Sequence, residues 1–140
     1  MVVESNTLSI PIRSGKMINQ LGQVMVYVND QDKAVSFWTE KLGFIVIADE
    51  SNGDMRWIEV APPEGAGTSL VLHDKQLIAK MDPDMNLGTP SLMFYSDNLN
   101  QLHKDLSSKN ITVGEIVEMP SGRVFNFADE EENYFAVMEK

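Results

Sequence analysis

The chain has 140 residues, with 21 Asp and Glu against 11 Lys and Arg, a formal charge of −10 and no cysteine. A hydrophobic share of 43% with 23% charged residues belongs to a folded body and not to a disordered one, and the length suits one domain. The acidity excludes nucleic acid and anionic membrane surfaces as expected partners, and the lack of cysteine excludes disulfides, thiolate nucleophiles and cysteine-held zinc.

Residues 1–16 (MVVESNTLSIPIRSGK) have neither a basic start nor a long apolar core, and no run nears the roughly 18 apolar residues of a membrane span. A cytoplasmic protein is expected. The segment itself reads as an N-terminal arm: flexible, an edge strand, or not native. It carries Glu4, Arg13 and Lys16, so residues 17–140 hold 20 acids and 9 bases, a net of −11.

Gln23–Val28 alternates, with Val24, Val26 and Val28 on one face and Gln23, Met25 and Tyr27 on the other, which predicts a strand. Asn29-Asp30 caps a helix over 31–42, where Ala34, Val35, Phe37, Trp38 and Leu42 fall near helical spacing and Gly43 supplies the stop. Strands are predicted at Phe44–Ala48, Met55–Ala61 and Thr68–His73, divided by Ser51-Asn52-Gly53-Asp54 and Pro62-Pro63-Glu64-Gly65, both rich in turn formers. Residues 74–89 lack strand pattern, contain Pro83 and Gly88, and read as a connector. The order then repeats: strand Ser91–Ser96, a cap at Asp97 or Asn98, a helix to about Lys109, and strands Ile111–Val117, Arg123–Ala128 and Asn133–Glu139. Arg56-Trp57-Ile58-Glu59-Val60-Ala61 lies 67 positions before Arg123-Val124-Phe125-Asn126-Phe127-Ala128, with Arg and Ala at matching ends, which supports an internal duplication. The expected organisation is an α+β domain over 17–140. A first βαβββ module spans about 20–74, a connector about 75–89, and a second module about 90–140.

Val26-Tyr27-Val28-Asn29-Asp30, Ala34-Val35-Ser36-Phe37-Trp38, Lys41-Leu42-Gly43-Phe44, Arg56-Trp57 ahead of Ala61-Pro62-Pro63, and Phe127-Ala128-Asp129 ahead of Asn133 carry a resemblance. The chain resembles the vicinal oxygen chelate superfamily of glyoxalase I, bleomycin resistance proteins and dioxygenases. It departs from that family's usual Asp-Pro-x-Gly-Asn turn, reading Asp129-Glu130-Glu131-Glu132-Asn133 with Pro and Gly gone. The resemblance implies an open curled sheet around a concave site, with dimers common. Metal-dependent members hold a divalent ion through four side chains of the first and last strands of each module, typically His or Gln and Glu. Those positions fall here on Gln23, Val71, Ser91 and Val137, of which only Gln23 is a credible ligand for such an ion. Neither metal nor another cofactor is therefore expected.

The alternation places Gln23, Met25, Tyr27, Ser69, Val71, His73, Ser91, Met93, Tyr95, Phe135 and Val137 on the concave side, with Leu70, Leu72, Leu92, Phe94, Ala136 and Met138 turned toward a helix. In the third strands Ile58 and Val60 face the helix, so Trp57 and Glu59, with Val124 and Asn126 as repeat partners, face the cavity. Expected ligand-binding residues are Gln23, Met25, Tyr27, Trp57, Glu59, His73, Ser91, Met93, Tyr95 and Asn126, a lining suited to an organic molecule with a few polar handles. Of the acids, Glu59 and Glu139 are the candidates for the cavity.

Glu59 and His73 are the candidate acid-base pair, although a strand-end histidine bonded to a loop is the preferred reading of His73. His103, among polar helix neighbours, is expected to be solvated, and Asp129 to Glu132 to be a solvated turn. Ser91 has no Gly-x-Ser-x-Gly elbow and is not a nucleophile. Two functions remain open. One is a homodimeric binding protein that sequesters a small organic molecule, of cationic type given the charge. The other is a lactoylglutathione lyase or dioxygenase type of enzyme with altered acid-base or metal residues.

Overall fold

The computed structural model describes residues 17–65 and 67–140, so the arm expected over residues 1–16 lies outside it. Its elements run β1 (Gln23–Val28), α1 (Gln31–Ser36) continuing into a π-helical turn (Phe37–Lys41), β2 (Ile45–Asn52), β3 (Met55–Ala61), β4 (Ser69–Asp74), α2 (Lys75–Met81), β5 (Met93–Ser96), α3 (Leu99–Ser108), β6 (Val117–Met119), β7 (Gly122–Ala128) and β8 (Tyr134–Glu139). Two four-stranded sheets result, in orders β1-β4-β3-β2 and β5-β8-β7-β6, with the first strand of each parallel to its last. This is the expected architecture of two βαβββ modules.

The repeat is visible in side-chain detail. Asp30 caps α1 by accepting from the Lys33 N–H, and Asn98 caps α3 by accepting from Gln101. Arg56 of β3 donates to Asp32 on α1 at 2.8 Å, while Arg123 of β7 donates to Asn100 on α3 at 2.7 Å. Each arginine thus ties a third strand to the start of the crossing helix. Arg56 also pairs with Asp49 of β2 and holds that carboxyl below its usual range by hydrogen bonding. Gln31 completes the lock by donating to the carbonyls of Arg56 and Leu72.

Several elements differ from expectation. The second half of the first helix winds wider: Leu42 N–H reaches back to Phe37 O, and Gly43 (φ 80°) turns the chain out. Strand β2 runs on to Asn52 and carries a bulge between Val46 and Ala48. The connector contains α2, capped by Asp74 on the N–H groups of Gln76 and Leu77, a signal that lay in the sequence as Asp followed by KQLIAKM. Of the strand expected at Ile111–Val117, the Val113–Phe127 bridge forms and Val117 opens β6, which runs on to Met119.

The core is shared by the two modules. Trp38, fully buried, packs on Phe44 of its own module and on Phe94, Phe127 and Phe135 of the second, with ring centroids 5.1–6.4 Å apart. Phe37 stacks on Phe127, and the same cluster takes in Val26, Ile58, Leu72, Leu99, Leu106, Phe125 and Val137.

The β7–β8 turn corrects the expectation of a solvated acidic tip. Asp129 is buried and accepts from the N–H groups of Glu131 and Asn133 and from the Asn133 side-chain amide. Glu131 reaches the other module, accepting from the N–H groups of Asn29 and Asp30 and the Asn29 amide at 2.8–3.1 Å, which sets a carboxylate against the start of α1. Glu132 holds the left-handed conformation (φ 64°) that a glycine would adopt more easily. Glu130 packs in an open recess with Asp32, Lys33 and Phe37. Partial loss of solvent, then the charges of Asp129, Glu131 and Asp30, push its carboxyl up from 4.5 to about 7.

Removing the shared indole, Trp38→Ala, should cost about 3–5 kcal/mol in urea denaturation. A raised carboxyl stabilises the fold while both states are protonated, and that contribution is lost as pH climbs from 4.5 through about 7. Glu130→Gln should therefore raise Tm relative to the parent at pH 8 and leave it unchanged near pH 4.5, as read by calorimetry at both values.

Candidate functional site

Residues paired across neighbouring strands share a face, so the register defines the concave surface. On the first sheet one row is Met25, Val71, Glu59 and Ala48, and the next is Tyr27, His73, Trp57 and Glu50, with Gln23 beside Ser69 at the near end. On the second sheet the rows are Met93, Ala136 and Asn126, then Tyr95, Met138, Val124 and Val117. The opposite faces build the buried core, while Met93 and Tyr95 remain 49% and 63% exposed. One side of each sheet is thus spent on folding, and the other is exposed at Met25, Met93 and Tyr95 while Ser69, Val71 and Ala61 stay buried there.

Expected site residues Gln23, Met25, Tyr27, Trp57, Glu59 and His73 gather on the first sheet, and Met93, Tyr95 and Asn126 on the second. Ser91 is exposed and precedes β5, which begins at Met93. The last strand needs correction. Phe135 and Val137 are buried in the core, and Ala136 and Met138 take the concave face. The turn before β8 spans residues 129–133, whereas residues 62–68 join β3 to β4; two fewer residues change the repeat spacing from 67 to 65. The position matching Val71 is therefore Ala136, not Val137. Glu139 likewise leaves the cavity, since it lies opposite Met138 and accepts from Arg123.

The family's metal positions consequently read Gln23, Val71, Ser91 and Ala136: one amide, one hydroxyl and two side chains without lone pairs. Among the described residues no group of three or more His, Asp and Glu stands close enough to hold an ion. The residues present do not fit the family's divalent metal.

Glu59 and His73 do not form a pair. Glu59 accepts from the Ser69 hydroxyl at 2.5 Å, in a recess of about 350 Å³ that also takes in Gln23, Ile47 and Ala61. His73 stacks on Tyr27 with centroids 5.9 Å apart, its Nε2 lies 3.2 Å from Met25 Sδ, and its Nδ1 is buried without a partner. Burial pushes its pKa below 6.5, so the imidazole is neutral at physiological pH. His103 is half-buried, donating from Nε2 to Gly114 O at 2.8 Å with its ring edge-on to Phe125; it fastens α3 to the sheet rather than standing in solvent. Two site residues escaped the sequence reading. Glu50 lies in the β2 extension beside Trp57, and Met85 of the connector takes a 3.7 Å contact from the Tyr27 hydroxyl. No local pattern marks either, because both positions depend on tertiary approach.

The geometry agrees with what known proteins show. The profile of the Glyoxalase/Bleomycin resistance protein/Dioxygenase superfamily matches residues 20–137. The chain is 38% identical over 125 residues to the uncharacterized protein YetH of Bacillus subtilis (strain 168), covering 88% of this chain and all of that one. Among solved structures, TnmS3, an antibiotic binding protein from Streptomyces sp. CB03234, superposes with a TM-score of 0.76 at 31% identity, covering 88% of this chain and 97% of that one. A superfamily member from Sphaerobacter thermophilus DSM 20745 gives 0.75 at 26% identity, covering 89% and 99%. With its paired βαβββ sheets and their open concave faces, the chain belongs to the glyoxalase/bleomycin resistance protein/dioxygenase superfamily.

Proposed function

We propose that this protein binds and sequesters a small organic molecule on its concave faces without a metal ion, acting as a cytoplasmic homodimer. The observation that carries the reading is the lining itself. Met25, Met93 and Tyr95 are exposed and Tyr27 and Trp57 half-buried, offering adaptable thioethers and flat rings among a few polar groups from Gln23, Glu59 and Asn126. A monomer leaves such surfaces open, and a ligand pocket ordinarily encloses most of its occupant. A second copy, related by a two-fold axis, would supply the missing wall. The antibiotic-binding relative at 31% identity supports the same class of ligand.

The rival reading, a lyase or dioxygenase of this superfamily, requires proton transfer or metal chemistry at these residues. It gains nothing from the geometry: Glu59 bonds Ser69, His73 faces Met25, and two of the four metal positions lack donors.

Sedimentation should give twice the chain mass, and acridine, a flat neutral probe, should raise Tm in step with its occupancy, equally before and after dialysis against a chelator. A monomer, or a ligand effect that disappears with the chelator, would contradict the proposal.

A further inference from the structure

Charge is distributed unevenly between the two sides of the sheets. On the concave side no strand position of either sheet carries Lys or Arg, whereas the first sheet presents Glu59 and Glu50 there. The strand arginines, Arg56 and Arg123, point the other way and are consumed by Asp32, Asp49, Asn100 and Glu139. Among the described residues Glu59 is held by a hydroxyl and not by a cation: it accepts from Ser69, itself 7% exposed at the floor of the sheet. The carboxylate therefore arrives oriented, and among the described residues no Lys or Arg is paired with it.

The neighbouring row supplies the complementary element. Trp57 sits two residues from Glu59 on the same face, about 7 Å along the strand, and continues through His73 to Tyr27. A carboxylate next to partly exposed aromatic rings is the chemistry that recognises a protonated nitrogen, by ion pairing on one side and by the ring quadrupole on the other. His73 does not oppose it, because burial keeps the imidazole neutral. The second sheet already shows such a contact within the chain, where Lys140 Nζ lies 5.6 Å from the ring centroid of Tyr95, the repeat partner of Tyr27.

From these placements we infer that Glu59, oriented by Ser69 and flanked by Trp57, is the anchor for a cationic nitrogen on a flat or apolar ligand. The assignment rests on the organic-ligand reading above and narrows it to ammonium, amidinium or guanidinium compounds. Gln23, at the end of the same recess, offers an amide to a neighbouring polar group of the ligand.

The test uses two dyes of the same shape at pH 8, protonated 9-aminoacridine and neutral acridine, titrated by fluorescence. The parent protein should bind the cation at least about tenfold more tightly. Glu59→Gln should bring the two within about twofold. Glu115→Gln, which removes the same unit of charge from an exposed position outside the sheets, should keep the full preference. Ser69→Ala, which retains the carboxylate and frees its orientation, should lose part of it, a readout that stands should Glu59→Gln fold poorly. Equal affinities in the parent would overturn the cation anchor while leaving the organic-ligand reading intact. A preference that survives Glu59→Gln, or falls equally in Glu115→Gln, would overturn the role of Glu59. Binding of neither dye would overturn both readings.

Discussion

Trp38 is the contact on which the arrangement of the molecule depends. Its indole leaves the first module's helix and fills a space walled by Phe94, Phe127 and Phe135 of the second sheet, so neither module's core is complete alone. The choice of face follows from that. Once Phe94, Phe125, Phe127, Phe135 and Val137 turn toward the shared core, strand alternation obliges Met93, Tyr95, Asn126, Ala136 and Met138 to face outward. The indole N–H is buried without an oxygen or nitrogen acceptor, a cost of about 1–3 kcal/mol set against the dispersion and area gained by the largest side chain of the core.

A second tie lies at the edge of that core. The β7–β8 turn lacks the proline and glycine usual in its family, yet it closes because Asp129 gathers the turn's amides and Glu131 grips the start of α1. The turn's acidity thus has a structural purpose at Asp129 and Glu131, while Glu132 and Glu130 carry its costs, one in backbone conformation and one in ionisation. Of the net charge of −10, little is spent on chemistry. The concave faces hold Glu59 and Glu50 among apolar and aromatic neighbours, and the other acids of the described residues cap helices, hold the β7–β8 turn, pair with Arg or Lys, or face solvent.

The parts legible in the sequence are those where polarity differs between faces. In β1 the valines alternate with Gln23 and Tyr27, and in β3 Ile58 and Val60 alternate with Trp57 and Glu59, so the inward and outward sets were readable and the structure keeps them. In β8 the run Phe135-Ala136-Val137-Met138 is apolar on both faces, alternation carries no mark, and only the two-residue difference in turn length decides the side. Asp129 looked like one of four equivalent acids because burial depends on the chain folding back around it. The 74–89 connector concealed α2 and Met85 for a similar reason: its position over Tyr27 arises from the tertiary path of the chain and not from a local pattern.

The central claim is that the open faces of both sheets form one organic-ligand surface independent of metal. Its most direct measurement is a 13C-methyl methionine spectrum of the metal-stripped protein during addition of acridine. The account predicts saturable shifts at Met25, Met85, Met93 and Met138, with Met81 and Met17 still. Shifts confined to Met81 and Met17, or appearing only after a divalent ion is restored, would contradict it.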